Sequence, residues 1–172
     1  MYHMIQKCNY GRVLEIFFKE PTKIHFIREI SKIISLAQTS VRNHIKEIEK
    51  EGLIIKKESN PFDGFVANRE NEKFLSYKQI YNLYSLFDIE KEIRESGPKA
   101  IILFGSYQKG EDIEESDIDI LIISKVKKEI NLEKYEKKLL RKVHLTIIKD
   151  INELDGNLKN NIKNGWIIYG KI

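Results

Sequence analysis

Apolar side chains recur three and four residues apart through the first half of the chain, then alternate or run together in the second. Val13, Leu14, Phe17 and Phe18 predict a helix over Asn9–Lys19, stopped by Glu20-Pro21. Ile27, Ile30, Ile33 and Ile34 predict a second helix over Ile27–Ile34 with all four on one face. A short turn through Ser35-Leu36-Ala37 leads to a third, in which Val41, Ile45 and Ile48 face inward. Gly52 closes that helix, Gly being favoured just past a helix end. Leu53–Glu58 and Phe65–Asn68 then predict a hairpin, joined by a Pro- and Asp-Gly-containing turn. Glu70–Ser85 predicts a fourth helix with Phe74, Tyr77, Ile80, Tyr81 and Tyr84 as a packing stripe, and Ile89–Ser96 continues helically to Gly97-Pro98. Further on, Asn131–Lys142 predicts an amphipathic helix with Leu132, Tyr135 and Leu139 inward, followed by a strand, Val143–Ile148. A last helix, capped by Asp150, buries Ile151, Leu154, Leu158 and Ile162 before a short strand, Trp166–Tyr169. Strands alternating with helices in this half suggest a small α/β sheet.

The chemistry concentrates in Ile101–Ile123. An apolar run, Ile101–Phe104, reads as a buried strand that ends at Gly105-Ser106, where the chain is expected to enter a loop. Ser116-Asp117-Ile118-Asp119-Ile120 follows. Side chains of a strand alternate faces, so Asp117 and Asp119 share one side and Ile118 and Ile120 the other. Two ionised carboxylates side by side repel, and a hard divalent cation with oxygen ligands relieves this; Mg²⁺ is the first choice. Gly105 and Ser106 can turn N–H groups and a hydroxyl toward phosphate oxygens, so the combination suits a nucleoside triphosphate.

Phe104-Gly105-Ser106 and Asp117-Ile118-Asp119-Ile120, at this separation, resemble the motif of the DNA polymerase β nucleotidyltransferase superfamily, and the short chain looks like its minimal nucleotidyltransferase group. The resemblance implies Mg²⁺ on Asp117 and Asp119, with a triphosphate, ATP by preference, on Gly105, Ser106 and the basic Lys109. It also implies a third carboxylate on the strand Val143–Ile148. Alternation leaves His144 and Thr146 for that face, and neither is an acid, so His144 is the remaining catalytic candidate. Residues 37–57 resemble the recognition helix and first wing strand of winged helix-turn-helix proteins. On that resemblance Gln38, Thr39, Arg42, Asn43 and Lys46 contact DNA, and Lys56, Lys57 and Arg69 steady the wing. The implied architecture is α+β and α/β: a winged helix-turn-helix over 1–70, a helical connector over 71–96, and a small mixed-sheet nucleotidyltransferase-like domain over 97–172.

Charge adds little to this picture. The net +4 divides evenly, +2 before Gly97 and +2 from it onward, which allows nucleic-acid binding without demanding it. Glu111, Asp112, Glu114 and Glu115 make the loop before Asp117 acidic, disfavour a polyanionic acceptor there, and read as solvated. Cys8 is the single cysteine, no secretory leader is seen and no apolar run spans a bilayer, so a cytoplasmic chain without a membrane partner is expected. Two functions remain open. One is a nucleotidyltransferase acting on a protein, nucleic-acid or small-molecule hydroxyl. The other is a DNA-binding regulator, or the antitoxin of a toxin–antitoxin pair, whose degenerate domain binds a nucleotide or a protein partner. A homodimer is compatible with either.

Overall fold

The structure, a computed structural model, describes residues 8–58, 60–126, 130–154 and 156–172, without the side chains of 157 and 158. The side chain of Leu158, expected on a buried helix face, therefore lies outside what the structure describes. The chain divides into two units, Met1–Tyr81 and Asn82–Ile172. No helix among the described residues is long and apolar enough to cross a membrane.

The first unit is built from α1 (Asn9–Lys19), α2 (Ile27–Ile34), α3 (Gln38–Lys50) and an antiparallel hairpin of β1 (Ile54–Lys57) and β2 (Gly64–Ala67). Val13, Phe17, Ile30, Val41, Ile45, Ile48 and Leu53 are its fully buried centre, each contributing about 1.5–3 kcal/mol relative to exposure. Ile33 departs from the expected face and is exposed. At 100° per residue Ile27, Ile30 and Ile34 lie within one narrow arc, and Ile33 falls well to its side. The α3 terminus explains itself: Gly52 has φ +74°, its N–H donates to the Glu49 carbonyl at 2.8 Å and that of Leu53 to Ile48 at 3.1 Å, the paired bonds of a Schellman ending. No side chain caps the start of α3 at Ala37. Between α1 and α2, His25 exchanges two backbone hydrogen bonds with Phe65, adding a rung to the hairpin.

The division between the units falls within α4 (Glu72–Ser85). Its aromatic stripe is only partly a packing surface. Phe74 is fully buried, whereas Tyr77, Ile80 and Tyr84 are exposed.

The second unit is a four-stranded sheet in the order β5-β4-β3-β6, formed by β3 (Ala100–Phe104), β4 (Ile118–Ile123), β5 (Val143–Ile148) and β6 (Trp166–Gly170). β3 is antiparallel to β4 and β6, and β4 is parallel to β5. One face, with Ile101, Leu103, Ile118, Ile120, Ile122 and Val143, packs on α5 (Phe87–Arg94) through Ile89 and Ile93, and on Tyr135 of α7 (Glu133–Leu139). On the opposite face Ile162 of α8 (Gly156–Lys163) and Leu154, which precedes that helix, close over Ala100, Ile102, Leu121 and Ile123. The acids occupy only the remaining end of that face. Two boundaries also differ. α7 stops at Leu139 because Leu140 turns left-handed at φ +56°, and Asp150 caps a 3₁₀ turn, Ile151–Glu153, rather than α8, accepting from the Asn152 N–H at 2.9 Å.

Candidate functional site

Asp117 immediately precedes β4 and Asp119 lies inside it, while Ile118 and Ile120 between and beyond them are fully buried in the opposite core. The alternation thus delivers both carboxylates to one face, as the spacing predicts. Asp119 is flanked in register by Phe104 on β3 and His144 on β5. Thr146, the other residue on the expected face of β5, stands opposite Leu121 instead. Of the two positions open to a third acid, His144 is the one beside the pair. Its Nε2 lies 3.7 Å from Asp117 Oδ2 and its Nδ1 3.9 Å from Asp119 Oδ1, and its side chain is 65% exposed.

β3 does not run into a loop. Gly105–Lys109 forms a short helical turn, α6, ended by Gly110 at φ +71°. Gly105 itself has φ +79°, and a Cβ there would stand 2.6 Å from Asp119 Oδ2. Only glycine permits this backbone conformation and this approach to the carboxylate. No side chain caps the turn, so its first amides lack an intrahelical acceptor, and Ser106 is its second residue, half-buried. Lys109 sits at the far end of the turn, exposed, with Nζ 4.0 Å from Glu111 Oε2.

The electrostatics match a cation site. The Asp119 carboxyl is pushed above the usual carboxylate range by burial first and by the Asp117 charge, with His144 acting in the opposite direction. Among the described residues no three His, Cys, Asp or Glu side chains gather tightly enough to hold a metal ion by themselves. Two carboxylates are, however, the donor count Mg²⁺ uses when phosphate oxygens and water complete its octahedron. The residues fit that ion.

The acidic loop departs from the expected solvated run at one position. Asp112 is fully buried, not solvated. Its Oδ1 accepts from Asn82 Nδ2 at 2.7 Å, and its Oδ2 lies 3.6 Å from Nη2 of Arg141, which is also buried. A cleft of about 500 Å³ opens beside Asp117, between the 114–117 loop and the 140–142 turn.

On the first unit, Gln38, Thr39, Arg42, Asn43 and Lys46 are all exposed along α3, opposite the buried Val41, Ile45 and Ile48. Lys56, Lys57 and Arg69 are exposed as well, with Lys56 Nζ 2.6 Å from Asp63 Oδ2.

Comparison with known proteins gives one functional anchor. Residues 86–169 match the family model of the nucleotidyltransferase domain, a span that contains β3, α6, β4, β5 and every residue named around the acidic pair. No curated protein and no solved structure matches the chain.

Proposed function

We propose that the second unit transfers a nucleoside monophosphate from a nucleoside triphosphate, ATP by preference, to an acceptor hydroxyl. The observation that carries this is the approach of Gly105 to Asp119 within a segment that matches the nucleotidyltransferase domain. Gly105 and Ser106 hold the triphosphate, with Lys109 toward its outer charge, while Asp117 and Asp119 hold Mg²⁺. The bound ion supplies charge neutralisation on the phosphates. The acceptor oxygen attacks the α-phosphorus, the bond to the bridging oxygen breaks, and pyrophosphate leaves. His144, where the family places a carboxylate, faces both acids and takes the proton of the acceptor hydroxyl.

The first unit, with an exposed polar face on α3 followed by a hairpin, is read as a winged helix-turn-helix that docks on DNA through Gln38, Thr39, Arg42, Asn43 and Lys46, with Lys56 and Lys57 on the backbone. Incubation with each labelled triphosphate and Mg²⁺, with and without cell extract, tests the transfer. Label should pass to an acceptor, and its failure to do so alongside metal-dependent nucleotide binding would leave the second reading. That reading, a DNA-binding regulator or antitoxin with a nucleotide-binding but non-catalytic domain, is favoured by one observation: His144 rather than an acid stands beside the pair. His144→Asp discriminates the two, since a gain of transfer at similar nucleotide affinity marks degraded chemistry, and a loss marks a working imidazole.

A further inference from the structure

Asp112 is the most deeply buried acid of its loop, and it sits at a junction of three segments. Asn82 Nδ2 donates both to Asp112 Oδ1 at 2.7 Å and to the Tyr107 carbonyl at 2.8 Å. Arg141 Nη2 lies 3.6 Å from Asp112 Oδ2 while Nη1 donates to the Leu140 carbonyl at 3.0 Å. Apart from Asn82 at the end of α4, each segment that meets here carries one part of the site. Tyr107 follows Ser106 directly, the loop from Asp112 leads to Asp117, and Arg141 leads into β5 and His144. The approach to β5 is held at further points: Leu140 adopts a left-handed φ of +56°, and Glu136 Oε1 accepts from the Val143 N–H at 2.9 Å. A bulky residue keeps such a conformation only where its surroundings over-determine it.

Stability does not account for this arrangement. Desolvating two charges offsets most of their attraction, and replacing a buried ion pair by apolar side chains of similar size is often neutral or stabilising. What the pair adds is direction: at 3.6 Å the two charges attract without a hydrogen bond, and the Asn82 amide on one side and the Leu140 carbonyl on the other fix where each group points. We propose that Asp112 and Arg141, with Asn82 tying Asp112 to the Tyr107 carbonyl, are positioning residues that set Asp117 against His144 and hold the Ser106 turn in register with both. The inference rests on the nucleotidyltransferase reading for what is positioned, and on the geometry alone for the positioning.

The test replaces the pair rather than breaking it. Asp112→Leu combined with Arg141→Met, in the full chain, should stay cooperatively folded, with a urea midpoint lowered only modestly by the Asn82 N–H left without its acceptor. Its affinity for magnesium–ATP should fall by about tenfold or more, since small misplacements of a preorganised site are costly. Backbone hydrogen exchange should rise over 110–117 and 140–144 and stay unchanged elsewhere. A folded double variant with affinity within about twofold of wild type, a difference under about 0.5 kcal/mol, overturns the proposal. If that variant does not fold, Arg141→Lys keeps the charge but loses the planar fork; a folded protein with lowered affinity supports the proposal and one with unchanged affinity overturns it. If the wild type itself binds no magnesium–ATP, the functional reading fails and the exchange pattern decides the positioning: localised loosening sustains it, and unchanged or uniformly raised exchange ends it.

Discussion

Gly105 reaches its place because it lacks a side chain. Gly105→Ala forces an alanine into φ +79° and sets a methyl 2.6 Å from Asp119 Oδ2. The backbone term alone costs about 1–2 kcal/mol, so urea denaturation should show at least that loss and calorimetry a weakened metal-dependent nucleotide affinity. Asp119 gives a pH signature. Burial raises its carboxyl pKa, so the folded state holds a proton that the unfolded state has released, and the metal-free protein loses stability as pH rises from the ordinary carboxylate range through the raised value. Asp119→Asn removes that penalty. Without metal the variant should melt higher than wild type at pH 7, and the gap should close below about pH 3, where the carboxyl is protonated in both states. A gap independent of pH would contradict the buried-charge account. Both acids and Gly105 were legible because strand alternation and a glycine at a strand end are local signals. Asp112 was not, because its burial depends on Asn82, thirty residues earlier in sequence, and on Arg141 from another element. Within a run of acids it is indistinguishable from its solvated neighbours.

Whole elements were legible where one face is uniformly apolar. α1, α2 and α3 begin and end where the spacing and the Pro and Gly signals place them, and β5 alternates as its pattern predicts. α4 departs from its pattern because its inward face runs through Phe74, Lys78 and half-buried Tyr81, so a lysine occupies a fully buried position. Hydrophobic periodicity discounts a charged residue and rotates the face toward Tyr77, Ile80 and Tyr84. The two accounts of α4 differ in what mutation costs. Phe74→Ala should destabilise the protein by about 3–5 kcal/mol, whereas Ile80→Ala, at an exposed position, should change stability by about 0.5 kcal/mol or less. Equilibrium denaturation at low protein concentration checks both, and a large loss at Ile80 would mean that the exposed face is covered in solution. α7 ended early for a related reason: nothing in Leu139-Leu140-Arg141 signals a stop, because the left-handed turn at Leu140 accompanies the contact that draws Arg141 inward.

The whole molecule joins two units, one with α3 over its core and one with β4 between the cores on either face of its sheet, and the proposed nucleic-acid and nucleotide surfaces each lie on one unit. Their losses should therefore separate. The net +4 is too evenly divided to create a strong field, so DNA affinity for arbitrary sequence should depend on local cations and fall near 10⁻⁴–10⁻⁶ M, about the usual non-specific range. Arg42 and Lys46 are one helical turn apart on the exposed side of α3, close enough to meet successive phosphates. If each neutralises one phosphate, Arg42→Ala with Lys46→Ala should lower the log–log salt slope by about 1.8, since each contact contributes about 0.9. Magnesium–ATP affinity should not change. Asp117→Ala with Asp119→Ala should do the reverse, abolishing metal-dependent nucleotide binding while the salt slope stays as in wild type. An unchanged slope in the first variant removes α3 from the DNA surface. A nucleotide affinity that falls with it would show that the two units do not act independently.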